Sequence, residues 1–112
     1  MRSTQVRLGD IAEAIAGIRA ALADVTFDIF QQSWALQRAV ERGLEIISEA
    51  SRRLPDADKA AHPSVPWNDI AGIGNILRHE YHRAEPLIIW NITVEHLPAL
   101  ASAVEVLRSD RL

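Results

Sequence analysis

Residues 72–83, with the sequence GIGNILRHEYHR, hold an unusual share of the chain's reactive side chains. His79 is the best candidate for acid–base chemistry, because an imidazole titrates near neutral pH. Arg78 and Arg83 lie near it, and guanidinium groups bind phosphate through forked N–H donors. Together these residue types suit cleavage of a phosphodiester by its neighbouring 2′-hydroxyl. That reaction needs proton transfer and charge stabilisation but no metal ion.

The same segment also permits other interpretations. His79 alone fits a partly buried histidine that hydrogen-bonds a helix end. His79 and His82 are three residues apart, so a two-histidine metal site is geometrically possible on a helix. A third ligand would have to come from Glu80, Glu85 or His96, and nothing in the sequence fixes their approach. HEYH is also one residue short of the H-E-x-x-H metal motif. We therefore expect no metal and no cofactor.

Composition narrows the class of protein. The 112 residues predict one domain, residues 1–112, and the absence of cysteine excludes disulfides and thiolate chemistry. The net charge of −3 argues against nucleic-acid binding held mainly by bulk electrostatics, and we expect no DNA partner. Eleven of the twelve basic residues are arginine, which suits phosphate contacts, although an arginine-rich genome explains the bias equally well. Without a long apolar run or a signal-peptide pattern, we expect a cytoplasmic protein that binds no membrane.

Apolar residues at alternating steps of three and four predict the helices that must position these side chains. The first helix is expected from about Leu8 to Val25. The second is expected from Thr26 or Asp28, either of which suits the capping position, to about Leu54, where the following proline ends it. Residues 55–66, PDADKAAHPSVP, are predicted to form a surface loop.

Two further helices complete the predicted fold. The third is expected from Trp67 to about His79. The fourth starts at Pro86, carries Trp90 and Val94 on its apolar face, and should be kinked at Pro98 because proline removes one helical hydrogen bond. No strand pattern is present. The sequence predicts an all-α, up-down four-helix bundle with a kinked C-terminal helix. The tryptophans at positions 34, 67 and 90 are expected in the core or at an interface.

Three segments of the sequence resemble one known family. They are residues 67–81, WNDIAGIGNILRHEY; residues 46–50, IISEA; and residues 87–100, LIIWNITVEHLPAL. In this order they are similar to the HepT-like toxins of the HEPN superfamily, and the likeness covers nearly the whole chain. The resemblance implies a HEPN-like helical bundle and a metal-independent endoribonuclease, the toxin of a toxin–antitoxin pair. It also implies a homodimer, an RNA substrate and an MntA-like nucleotidyltransferase antitoxin as partner.

The family motif assigns roles to individual residues of this chain. His79 matches the signature histidine, proposed as general acid or base, and Asn75 matches the polar residue after the signature arginine. Tyr81 matches the signature tyrosine, which in the family is the position where the antitoxin attaches AMP. Glu49 matches an acidic position of the second helix and is one possible buried partner for a motif side chain. Further RNA phosphate contacts are expected from Arg78, His82 and Arg83.

Gly74 departs from the family pattern because it stands where the signature arginine is expected. Glycine offers no phosphate contact and weakens a helix interior by roughly 1 kcal/mol. We therefore expect a weakened or inactive ribonuclease. Arg78, four residues further along the same helix, lies near the same face and could substitute for the signature arginine, with its head group displaced by one turn from the arginine's. One alternative function is a non-catalytic HEPN module that engages a nucleotidyltransferase or RNA. Another is a plain dimeric scaffold, in which the polar cluster is a solvated helix end.

The expected homodimer follows from two considerations. A bundle of this length has a limited core, and a cleft built from paired motifs needs two copies of the chain. We expect the interface in the region of the third and fourth helices, around Trp67 and Trp90.

Overall fold

The computed structural model describes residues 3–79 and 86–111, with the backbone alone described for His79. All regular secondary structure in these residues is helical, which confirms the all-α prediction. Six helices follow one another: α1 Thr4–Ala21, α2 Phe27–Gln32, α3 Trp34–Arg52, α4 Asp56–Ala60, α5 Trp67–His79 and α6 Pro86–Ser109. The long helices α1, α3, α5 and α6 are the four that the apolar periodicity predicts.

Helix α3 is the centre of the bundle. It packs against α1 on one side and α5 on the other, while α6 lies mainly against α1 and also reaches α2 and α3. The apolar stripe of each long helix faces this common core. Its fully buried side chains include Leu8, Ile11, Phe30, Val40, Leu44, Ile47, Ile70, Ile89, Leu100 and Val104.

Helix α1 lies a few residues earlier than predicted. It begins at Thr4 because the Ser3 hydroxyl accepts the Val6 N–H at 3.1 Å and caps the first turn. It ends at Ala21, and Asp24 follows in the left-handed region with φ 59°. Aspartate is one of the few residues besides glycine that are enriched in this region, so Asp24 suits the turn that follows the helix.

The predicted single helix from residue 26 or 28 to residue 54 is wrong, because the chain breaks at Ser33. Ser33 is extended (φ −109°, ψ 102°), and its hydroxyl caps α3 by accepting the Leu36 N–H at 3.1 Å. The Gln37 amide donates to the carbonyls of Phe30 and Gln31, both at 3.1 Å, and so satisfies the end of α2. Thr26 caps α2, as one of the two predicted candidates.

Residues 55–66, which were predicted to form a surface loop, contain the short helix α4. The Trp67 indole N–H donates to the carbonyls of Lys59 (3.1 Å) and His62 (3.0 Å) and so fixes this segment against the start of α5. At its other side, Arg111 forms an ion pair with Asp58 at 2.6 Å.

Helix α6 runs through Pro98 to Ser109, and the kink expected at Pro98 stays a prediction. Among the described helices, α6 alone is long and apolar enough to cross a membrane by length and composition. Its apolar residues serve the core in part, since Ile89, Leu97 and Leu100 are buried. Val94, predicted on the buried face, is instead exposed.

The three tryptophans have different surroundings. Trp90 is half-buried against Phe27 and Phe30, with ring centroids 5.8 and 5.3 Å away. Trp67 is half-buried, and its indole N–H donates to carbonyls of the 55–66 segment. Trp34 is 71% exposed at the start of α3, so it contributes nothing to the core of the protomer.

Candidate functional site

Helix α5 positions the predicted motif residues at its C-terminal end. Ile70, Ile73 and Leu77 are buried and pack this helix onto the bundle. Asn75 and Arg78 are exposed on another face, and His79 is the last residue of the helix. The apolar periodicity therefore holds one face of α5 in the core and presents two polar motif residues to solvent.

A buried serine of α3 fixes the middle of α5. The Ser48 hydroxyl donates to the Ala71 carbonyl at 2.9 Å and accepts the backbone N–H of Gly74 at 3.0 Å. The Ala71 carbonyl also accepts the Arg52 Nε–H at 3.0 Å. Ser48 is 1% exposed, so its hydrogen bond from the Gly74 N–H is buried, and its two hydrogen bonds set how α5 lies on α3.

Gly74 is buried where α5 contacts Ser48. Because glycine has no side chain, there is space beside it, which the side chains of Ser48 and Arg78 border. A Cβ atom built on Gly74 would lie 3.1 Å from Ser48 Oγ and 3.1 Å from Arg78 Nη1. Its distance to Arg78 Cζ would be 3.5 Å. The guanidinium of Arg78 therefore lies at the level of Gly74, whereas an arginine at position 74 would carry its own head group one turn further back along α5. The Cα–Cβ bond of a helical residue tilts towards the N-terminus, which directs an arginine side chain back over the preceding turn.

Asn75 and Arg78 also contact each other directly. Arg78 Nη2 donates to Asn75 Oδ1 at 3.2 Å. Both side chains are exposed, so the hydrogen bond orients polar groups that remain accessible to a ligand. The structure thus brings three of the predicted site residues, Gly74, Asn75 and Arg78, into one cluster.

The proposal that Glu49 is a buried partner of a motif side chain is wrong. Glu49 lies on the solvent-facing side of α3, where its carboxylate pairs with Arg53 at 3.1 Å. The residue of α3 that does contact the motif is its neighbour Ser48. A sequence signal for Ser48 existed, because this serine and Ser51 fall on the apolar stripe that Leu44 and Ile47 define.

Several predicted site residues lie outside the described part of the chain. These are the side chain of His79 and the whole of Tyr81, His82 and Arg83. Glu80 and Glu85, two of the candidate metal ligands, lie outside it as well. Among the side chains that are described, no three histidine, aspartate or glutamate side chains converge on one point.

Comparison with known proteins identifies the family. A model of the family described as "Ribonuclease HepT-like" matches residues 11–107. The chain is 37% identical over 107 residues to "Probable ribonuclease HepT" of Thermococcus cleftensis, covering 96% of this chain and 97% of that protein. It is 32% identical over 105 residues to "Putative RNase MJ1380" of Methanocaldococcus jannaschii, covering 94% and 96%.

A third relative, "Putative RNase TTE0752" of Caldanaerobacter subterraneus, is 38% identical over 88 residues, which cover 78% of this chain and 79% of that protein. No solved structure matches the chain. The family match spans most of the chain, including α5 with its motif residues, and the similarity to the first two relatives extends over nearly their whole length. The chain therefore belongs to the ribonuclease HepT-like family.

Proposed function

We propose that this protein is a metal-independent endoribonuclease and the toxin of a toxin–antitoxin pair. The observation that carries the proposal is the cluster at the end of α5 in a ribonuclease HepT-like chain. There, an exposed guanidinium and an exposed amide lie immediately before the signature histidine. These are the groups that phosphodiester cleavage requires: donors for the phosphate oxygens and an imidazole for proton transfer.

In the proposed reaction, an RNA 2′-hydroxyl attacks its own 3′-phosphorus. One imidazole removes the 2′ proton, and the bond from phosphorus to the 5′-oxygen of the next nucleotide breaks as that oxygen takes up a proton. The products are a 2′,3′-cyclic phosphate and a 5′-hydroxyl. His79 is the proposed proton-transfer residue, and Arg78 and Asn75 are placed to donate to the phosphate oxygens as negative charge builds on them.

We propose that the active form is a homodimer in which two copies of the motif share one cleft. Trp67 and Trp90, expected at the interface, are both half-buried within the protomer. The better candidate surface is the face of α6 that carries the exposed apolar residues Leu87 and Val94, which are seven residues and so two helical turns apart. Helix α6 starts seven residues after His79, so its first residue lies at most ~25 Å from the end of α5.

The proposed partner is a nucleotidyltransferase of the MntA type, acting in the cytoplasm. Transfer of AMP to Tyr81 would add a bulky anion two residues from His79. That anion would repel RNA phosphates and fill the cleft, so the modification would silence the enzyme. Mass spectrometry of the protein after co-expression with the nucleotidyltransferase tests this part of the proposal, since AMP is expected on Tyr81.

We further propose that cleavage is weaker than in a chain with arginine at position 74, because glycine supplies no donor there. The same glycine favours the second candidate function, a non-catalytic module that binds RNA or the nucleotidyltransferase. An RNA-cleavage assay in EDTA separates the two candidates. The nuclease cuts the RNA and leaves cyclic phosphate ends, whereas the binding module retains RNA and leaves it intact.

A further inference from the structure

The space beside Gly74 is filled by a guanidinium that belongs to a residue one turn later. Arg78 Nη1 lies 3.1 Å, and Arg78 Cζ 3.5 Å, from the position that a Cβ on residue 74 would take. Side chains four residues apart on a helix start about 5–6 Å from each other, a distance that an arginine readily spans. Position 74 thus holds no side chain of its own, yet a guanidinium covers it.

The hydrogen bond to Asn75 holds this guanidinium in place. Towards the described residues, Arg78 uses Nη2 alone, at 3.2 Å from Asn75 Oδ1, whereas a guanidinium carries five N–H donors. Within residues 3–79 and 86–111, no carboxylate lies within ion-pair distance of Arg78. The remaining donors of this exposed cation are therefore not occupied by acidic side chains of the described chain.

We infer that Gly74 and Arg78 act as a pair in which Arg78 supplies the phosphate-binding guanidinium and Gly74 provides the space for it. The inference rests on the proposed ribonuclease activity and assigns the cation that this activity needs. A Cβ at position 74 would lie 3.1 Å from Arg78 Nη1, so the guanidinium would have to shift by a few tenths of an ångström, and a larger side chain would crowd it more. Gly74 thus lacks the family's own donor, but it leaves room for the guanidinium of Arg78.

The position of the Arg78 guanidinium determines what substitutions at positions 74 and 78 should do. Gly74→Arg alone places two arginines four residues apart, where their like charges repel and the new Cβ crowds Arg78. The double variant Gly74→Arg with Arg78→Ala moves the single guanidinium one turn back along α5. It restores the family's arginine position without adding a charge to the site.

The test is the single-turnover cleavage rate of a fluorescent RNA in EDTA, measured with the thermal unfolding of each variant. Arg78→Ala is expected to lower the rate by about 10²–10³, the usual effect of removing one donor to a developing oxyanion. Arg78→Lys keeps the charge without the fork and should retain part of the rate. The double variant should cut at least as fast as the wild type. Arg42→Ala is the control, because Arg42 is an exposed arginine that pairs with Glu45 on α3.

Each outcome decides the inference. If the wild type cuts RNA and Arg78→Ala cuts equally fast while folding normally, Arg78 does not supply the cation, although the proposed ribonuclease stands. If the wild type is inactive and the double variant cuts, Gly74 has disabled the enzyme and Arg78 does not compensate. If none of the variants cuts RNA, both the inference and the proposed function fail.

Discussion

The guanidinium of Arg78 lies against Gly74, with Nη1 3.1 Å from the position of a Cβ on that glycine. Gly74 and Arg78 are four residues apart on α5. A side chain at position 74 would therefore shift the guanidinium of Arg78 without removing its positive charge. A Cβ at position 74 would also lie 3.1 Å from Ser48 Oγ, so thermal unfolding has to be measured beside cleavage for each substitution there.

Gly74→Ala should lower RNA cleavage, because the added methyl pushes the Arg78 guanidinium from its position beside Asn75. A loss of about tenfold is expected, less than on removing the donor altogether. The matched control is Gly72→Ala in the same helix, where a Cβ meets nothing within 4 Å. That substitution should stabilise the protein by about 0.5–1 kcal/mol and leave cleavage unchanged. Equal cleavage by the two variants would argue against this effect of position 74 on Arg78.

Ser48→Ala should destabilise the fold. The substitution removes the acceptor of the Gly74 N–H and one donor to the Ala71 carbonyl in a buried contact. The expected loss is about 1–3 kcal/mol in the free energy of unfolding, measured by urea denaturation. Ser102→Ala on the exposed side of α6 is the control, with an effect within about 0.5 kcal/mol. If both variants unfold at the same urea concentration, the contact does not hold α5 on α3.

Gly43→Ala tests the close approach of α1 and α3. A Cβ at this position would lie 2.8 Å from both Cγ1 and Cδ1 of the buried Ile18. We expect a destabilisation of about 1–3 kcal/mol from overpacking. Gly17→Ala, in open space on α1, should instead stabilise by about 0.5–1 kcal/mol. Thermal unfolding of both variants checks the opposite signs, and a stabilised Gly43→Ala would mean that the helices separate easily.

The proposed dimer should depend on the exposed apolar face of α6. Replacing Leu87 and Val94 together by aspartate should give monomers in sedimentation velocity at micromolar concentration, because two charges would enter an apolar interface. Val106→Asp is the control, since Val106 is an exposed apolar residue near the other end of the same helix. A wild type that sediments only as a monomer would contradict the dimer itself.

Periodicity was sufficient to predict the four long helices, because their apolar residues recur every three or four positions and all face one core. It missed the break at Ser33, where one hydroxyl and the Gln37 amide satisfy the backbone and outweigh a continuous apolar stripe. Trp34, expected in the core or at an interface, follows this break and is 71% exposed in the protomer.

The family resemblance predicted which residues of α5 belong to the site. It did not predict the contacts between them. Spacing predicted that the Arg78 head group would lie one turn from that of an arginine at position 74. It did not predict the contact with Gly74 or the hydrogen bond to Asn75, because spacing fixes where a side chain starts and not where a long flexible side chain ends. The contact of Ser48 with the backbone of α5 likewise depends on the packing of two helices whose positions in sequence are 26 residues apart.

The central claim, that this chain cuts RNA through the end of α5, is tested most directly by incubating the purified protein with RNA in EDTA. The comparison is with its His79→Ala variant. We predict fragments from the wild type that end in 2′,3′-cyclic phosphate, and no fragments from the variant at equal thermal stability. An RNA with a single 2′-deoxynucleotide at the cleaved position should resist the wild type at that position. Intact RNA after incubation with folded wild-type protein, or equal cleavage by the His79→Ala variant, would contradict the account.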